Sequence, residues 1–191
     1  MPRDPIVATS KLLSYVLRHR PDSIGLALDP QGWAAVDDLL AQLGASGHEL
    51  DRALLERVVD ENDKQRFAFS ADRTRIRASQ GHSVAVDLAL APATPPDVLY
   101  HGTASRFMKS ILATGLRAAG RHHVHLSADA ETARKVGARH GFPAVLRVDA
   151  ARMQADGIVF YCSDNGVWLT GAVLPRYLTM ADASVTGRVG G

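Results

Sequence analysis

Four short stretches hold side chains whose types and spacing could do chemistry. The first is Arg18-His19. A guanidinium presents a planar fork of donors and a protonated imidazole a second directional one, so the pair can clamp an anion; it can equally cap a helix end in water. The second is the polar run Asn62-Asp63-Lys64-Gln65-Arg66 leading into Phe67. If a strand follows, Phe67 and Phe69 point one way and Arg66 the other, toward solvent or a cleft. The third is Gly120-Arg121-His122-His123-Val124-His125-Leu126-Ser127. His123 and His125 would share a strand face, but two strand histidines supply at most two metal ligands. Cys162 and His140 stand at no zinc spacing from them, so hydrogen-bonding histidines are expected and a metal is not. The fourth is Tyr100-His101-Gly102-Thr103. A histidine, a glycine that permits close backbone approach and a hydroxyl near a helix start can hold a ribose or a phosphate. The chain has no Walker loop, no G-x-G-x-x-G and no G-x-S-x-G.

The elements that must position these residues follow from periodicity. Leu12, Leu13, Val16 and Leu17 predict a helix over 9–20, capped by Thr9 or Ser10, with Arg18-His19-Arg20 in its last turn before Pro21. Gly25–Leu28 is a strand candidate, and Asp29-Pro30-Gln31-Gly32 a turn. Further helices are expected over about 36–43, ended by Gly44, and about 50–62, followed by a hairpin of 66–70 and 74–78. Three helices and a hairpin suggest a winged-helix-like unit. Pro92, Pro95 and Pro96 mark a connection within 80–97. Strands are then expected at 98–101, 123–127, 144–148, 158–161 and 167–170, with helices at 104–114 and 129–139 and a frayed tail at 187–191. The fold class is α+β, in two lobes, 1–90 and 91–191.

Composition narrows the function classes. The chain has 191 residues, 46% hydrophobic and 22% charged, with a net charge of +2, ordinary for a packed globular protein. Its one cysteine closes no internal disulfide, no apolar run approaches a membrane span, and the first residues lack a secretory core. A cytoplasmic protein is expected, with a monomer as the default. Residues 1–92 carry 11 basic and 13 acidic groups, and residues 93–191 carry 11 and 7. Neither lobe has the basic excess of a general nucleic-acid coat, so a polyanion would be held locally by a few placed cations.

Taken in order, the four stretches resemble the RNA 2′-phosphotransferase family, which removes a splice-junction 2′-phosphate from RNA, as in tRNA splicing and RNA repair, using NAD+. The matching segments are Ser10–His19, Asp29–Trp33, Asn62–Phe67, Tyr100–Thr103, Arg121–Ser127 and Asn165–Thr170. The resemblance implies an N-terminal winged-helix-like RNA lobe and a C-terminal ADP-ribosyltransferase-like lobe that binds NAD+. It carries the essential Arg, His, Arg and Arg onto Arg18, His19, Arg66 and Arg121. For NAD+ it points to His101, Gly102 and Thr103, to His125, Leu126 and Ser127, and to Gly115. Many ADP-ribosyltransferases place a Glu on a late strand, whereas Val167–Thr170 here has no carboxylate, as an anionic acceptor would permit. The partners implied are RNA bearing a 2′-phosphate and NAD+ as co-substrate, with no membrane. Two rivals are a winged-helix regulator that senses NAD+ without turnover, and a transferase that leaves ADP-ribose on RNA ends or proteins.

Overall fold

The computed structural model describes residues 4–62 and 64–181. Asp63 of the polar run and the tail at 187–191 lie outside the described residues. The protein mixes helix and sheet and divides into two compact units. The first comprises residues 1–90 with Gly120–His122 and Ser163–Asn165; the second holds the remainder.

In the first unit, α1 (Pro5–Arg18) starts earlier than the stripe alone predicts. Asp4 caps it by accepting from the Ile6 amide at 2.9 Å, and Pro5 occupies the first turn, where no amide donor is needed. Neither Thr9 nor Ser10 is the cap; Ser10 is buried inside the helix. Leu13, Val16 and Leu17 are fully buried, each contributing about 1.5–3 kcal/mol by burial. Residues 25–28 are not a strand: a 3-10 turn, Pro21–Ile24, ends at Gly25 in left-handed conformation, and Leu26 folds inward behind it. The Asp29–Gly32 turn forms as expected, closed by the Gly32 amide on the Asp29 carbonyl at 2.9 Å. β1 (Ala34–Ala35) then leads into α2 (Val36–Ala45), which runs through Gly44 and turns out at Gly47. α3 (Arg52–Asp60) is capped by Asp51. β2 (Phe67–Phe69) and β3 (Arg75–Ala78) form the hairpin, and β1 joins it as a third antiparallel strand in the order β1-β3-β2. The core between the helices and this sheet is Leu13, Leu17, Leu39, Leu43, Leu55, Phe67 and Ile76.

The second unit begins with β4 (Val98–Ala104), longer than expected because it pairs in full with a later strand. A 3-10 turn, Ser105–Phe107, precedes α4 (Met108–Thr114), and β5 (Leu116–Arg117) follows Gly115. β6 (Val124–Leu126) is followed by α5 (Ala130–Gly137), capped by Asp129. β7 (Pro143–Asp149) turns directly into α6 (Ala150–Ala155), a helix the periodicity did not reveal. The run 158–161 pairs only at its end, as β8 (Tyr161–Cys162), because the Ile158 amide instead closes α6 on the Met153 carbonyl. β9 (Trp168–Thr170), β10 (Ala172–Val173) and β11 (Leu178–Met180) complete the unit. Two three-stranded antiparallel sheets, β11-β7-β4 and β6-β9-β8, enclose Leu99, Leu126, Leu146, Val148, Met153, Phe160 and Tyr177. A bridge between Tyr100 and Ser127 ties the end of β6 to β4.

Candidate functional site

The C-terminal end of α1 carries the first two site residues. Its last carbonyl, on Arg18, accepts from the Ser83 amide at 2.9 Å and the Val84 amide at 3.4 Å, so a chain segment well beyond β3 caps the helix. The Ser83 hydroxyl lies 2.9 Å from His19 Nδ1 and 3.5 Å from the Arg18 carbonyl. If His19 Nδ1 carries a proton, it donates to Ser83 Oγ, and the hydroxyl proton turns to Arg18; the ring is then oriented with Nε2 available.

Arg66 stands just before β2. Asn62 builds the loop that presents it: its Oδ1 accepts from the Lys64 amide at 3.0 Å and its carbonyl from the Gln65 amide at 2.8 Å. Gln65 takes a φ of 41°, a conformation most side chains avoid, and this reverses the chain into Arg66. From the other side Asn165 Nδ2 donates to the Lys64 carbonyl at 3.0 Å. Arg66 Nη1 and Asn62 Nδ2 both donate to Ser10 Oγ, at 3.1 and 3.3 Å, which explains a buried serine inside α1. The Arg66 carbonyl in turn accepts from Arg18 Nη2 at 3.2 Å and the Ser79 amide at 2.9 Å.

These bonds place cation beside cation. Arg18 is held by that hydrogen bond to the Arg66 carbonyl and by the Phe67 ring, 5.8 Å from its guanidinium carbon; its Nε is buried without a hydrogen-bond partner among the described residues. Burial, and then the charges of Arg66 and Arg121, push its pKa down to about 10. His19 is lowered as well, by burial and by Arg18 and Arg121. Among the described residues no carboxylate shifts either side chain. Arg121, in the short stretch Gly120–His122 between segments of the second unit, belongs to the first and is exposed there. Thus the structure gathers Arg18, His19, Arg66 and Arg121, drawn from three separate stretches, into one cationic cluster. Like charges at this proximity and in partial burial repel, and an anion placed among them removes the repulsion. A recess of about 570 Å³ in the same unit, lined by Asn62, Gln65 and Ser79, also has Asp60, Glu61 and Asp164 at its wall and is electrostatically unsuited to a phosphate.

Sequence reasoning missed Ser83 and its neighbour His82. His82 is buried, its Nε2 has no hydrogen-bond partner, and burial together with Arg18, His122, His19 and Arg77 pushes its pKa down to about 4. Both residues lie in irregular chain, where no periodicity marks them.

In the second unit His101, Gly102 and Thr103 lie in β4, His125 and Leu126 in β6, with Ser127 just after. His101 Nδ1 lies 3.1 Å from the His125 carbonyl. A carbonyl only accepts, so Nδ1 carries the proton, and burial lowers the pKa and keeps the ring neutral. Its Nε2 is then an acceptor, suited to a ribose hydroxyl. At Gly102 the structure shows a close approach within the protein itself. A Cβ there would fall 1.6 Å from the Ala133 carbonyl oxygen of α5, and one on Gly137 would fall 2.6 Å from the Thr103 carbonyl oxygen. The two glycines let α5 lie directly on β4, which by itself requires them to lack a side chain. Gly115 is likewise explained by packing: φ is 84°, and a Cβ would strike the Val173 carbonyl oxygen at 2.3 Å. Leu126 is buried in the core, so only its backbone can face a ligand. His123 packs edge-on against Tyr161 at 5.6 Å. Among the described residues no group of three His, Cys, Asp or Glu could hold a metal, and no helix is long and apolar enough to cross a membrane.

Proteins of similar sequence are known in other organisms. A protein from Agrobacterium fabrum is 62% identical over 93% of this chain and 96% of its own length. One from Hahella chejuensis is 56% identical over 93% and 96%, and one from Pseudomonas aeruginosa is 56% identical over 95% and 100%. Each bears the name "Probable RNA 2′-phosphotransferase". The family model described as RNA 2′-phosphotransferase, Tpt1 / KptA family, matches residues 4–172, which span the whole cationic cluster and the His101–Thr103 strand, and the chain belongs to that family.

Proposed function

We propose that this protein is an NAD+-dependent RNA 2′-phosphotransferase, with a winged-helix-like RNA lobe and an ADP-ribosyltransferase-like NAD+ lobe. The observation that carries the reading is the state of Arg18: a part-buried guanidinium beside two further arginines, with no carboxylate acting on it among the described residues. A 2′-phosphate monoester, with its second pKa near ~6, is a dianion at neutral pH and supplies the missing charge. It is already a nucleophile, so the first step needs orientation rather than a general base. In that step the phosphate attacks the anomeric carbon of the nicotinamide ribose and nicotinamide leaves. In the second, the adjacent ribose hydroxyl attacks phosphorus, freeing a 2′-OH RNA and ADP-ribose 1″,2″-cyclic phosphate.

Arg18, Arg66 and Arg121 grip the phosphoryl oxygens, and their placed charges offset the charge that builds there during phosphoryl transfer. His19, oriented by Ser83, contacts the same phosphate and is placed to pass a proton to the departing RNA oxygen. Beyond the lowering that burial causes, Arg18 and Arg121 repel a protonated His19; bound phosphate offsets that repulsion and draws the imidazole toward its protonated form. In the second unit His101 Nε2 accepts from a ribose hydroxyl, while Thr103, the backbone of Leu126, and the His125 and Ser127 side chains supply further polar contacts for NAD+. β9, with Trp168, Leu169 and Thr170, contains no carboxylate. An acceptor that is itself an anion has no need of one to activate it.

One assay decides among the readings: NAD+ with a short RNA bearing a single internal 2′-phosphate. Nicotinamide release, cyclic phosphate of ADP-ribose and plain 2′-OH RNA are expected. A stable ADP-ribosylated RNA would make the protein a transferase of another kind, and binding without nicotinamide release would make it a sensor.

A further inference from the structure

One end of the second unit's β11-β7-β4 sheet carries an exposed aromatic and basic cluster that the phosphate chemistry does not use. The end of β4 meets the start of β7, Ala104 facing Pro143, and the Ser105 amide donates to the Phe142 carbonyl at 2.8 Å. This joins the turn bearing Arg106 and Phe107 to the turn bearing Arg139 and Phe142. Phe142 is 81% exposed and Phe107 45% exposed. Arg106 lies over the Phe107 ring, 4.6 Å from its centroid, and its Nη1 sits 2.9 Å from where a Cβ on Gly141 would stand. Gly141, with φ at 138°, therefore makes room for the guanidinium. Residues 134–142 contain Arg134, Lys135, Arg139 and His140 and no carboxylate; the nearest acid in sequence, Glu131, is paired with Lys135 at 2.7 Å.

We propose that this sheet end, built from Arg106, Phe107, Arg139 and Phe142, is a contact for single-stranded RNA, in which unpaired bases stack on the two rings and the arginines hold neighbouring phosphates. Exposed rings cost hydration, and a partner that covers them recovers it. An apolar partner would leave the cations stranded, and an acidic peptide would have no use for flat aromatic faces. Single-stranded nucleic acid offers both a π-face and a phosphate at every nucleotide. The inference rests on RNA being the substrate, and it adds a second hold on the strand, remote in sequence from the cluster of Arg18, His19, Arg66 and Arg121.

The test uses the full chain and two RNAs with the same 2′-phosphorylated junction, a dinucleotide and a single strand of about 15 nucleotides. Binding is followed by fluorescence anisotropy without NAD+, and turnover separately. Phe142→Ala and Arg106→Gln should each weaken the longer RNA about fivefold or more. Both should leave the dinucleotide's affinity and KM for NAD+ unchanged, with Phe142→Tyr close to wild type. Arg106→Gln should also lower the salt dependence of binding by about 0.7 in slope. Equal loss on both RNAs, no loss on either, no preference of the wild type for the longer RNA, or a rise confined to KM for NAD+ would each overturn the proposal. If the wild type binds the longer RNA but releases no nicotinamide, the reading of the reaction fails while the anisotropy still tests this surface.

Discussion

The first unit contains arginines in two opposite surroundings. On α3 and the hairpin, Arg52 meets Glu56 at 3.1 Å, Arg57 meets Glu61 at 3.0 Å and Arg73 meets Asp60 at 3.2 Å, all on the surface. The hydrogen bond and charge of Glu61 raise the pKa of Arg57. At the end of α1 the same side chain, as Arg18, has burial and two cations for company, and its pKa falls to about 10. The first group finds its counter-charge within the protein and is worth little to stability. The second has no carboxylate acting on it among the described residues, the state expected of a group that a bound anion would complete. An arginine count cannot separate them; the sign of the neighbouring charges can.

The sharpest way to break this contrast is Arg18→Gln, expected to lower turnover by about 10²–10³. It should also abolish the rise in Tm that a 2′-phosphorylated nucleotide gives the wild type. Near-normal turnover, or an unchanged thermal shift, would return Arg18 to the ordinary group. Next in size is an effect of pH on stability through His82. Its folded pKa of about 4 lies below the ordinary 6.5, so the unfolded chain binds the extra proton between those values and stability falls as the solution is acidified. The loss between pH 7 and pH 5 should be about 2 kcal/mol, and His82→Asn should flatten that part of the denaturation profile. A variant as steep as wild type would show that His82 is not the titrating group. Ser83→Ala should cost about tenfold in kcat, shift the acid limb of the pH–rate profile and be rescued by Ser83→Thr. A change in KM alone would deny Ser83 its hold on His19. The smallest effect is expected for Arg57→Ala, which should move neither turnover nor Tm measurably; a clear loss of activity would blur the two classes.

Much of the frame was legible because local rules decide it. The stripe Leu13-Val16-Leu17, the Asp29–Gly32 turn and the hairpin around Ala71-Asp72-Arg73 follow from periodicity and turn chemistry. What misled was chemistry settled at a distance. Ser10 reads as a helix cap until Arg66 and Asn62, far along the chain, are seen bonding to it. Gly102 reads as room for a ligand, and no local pattern shows that α5 also lies against it. β5, β10 and β11 are two or three residues long, too short to show alternation, and exist because of their partners. That Arg18, His19, Arg66 and Arg121 belong together was expected from motif order, yet their company was not. That Arg121 acts on Arg18 and His19, and that Ser83 orients the imidazole, are outcomes of packing that no local pattern encodes.

The first unit is assembled from three separated stretches, residues 1–90, Gly120–His122 and Ser163–Asn165. A gene fragment ending at Leu90 would therefore encode Arg18, His19 and Arg66 but neither Arg121 nor Asn165, the residue that braces the Arg66 loop. The cationic cluster cannot be inherited, truncated or grafted as a contiguous module. Any recombination point between residues 90 and 120 divides it, which ties the histories of the two halves together more firmly than a proline-rich connection alone would require.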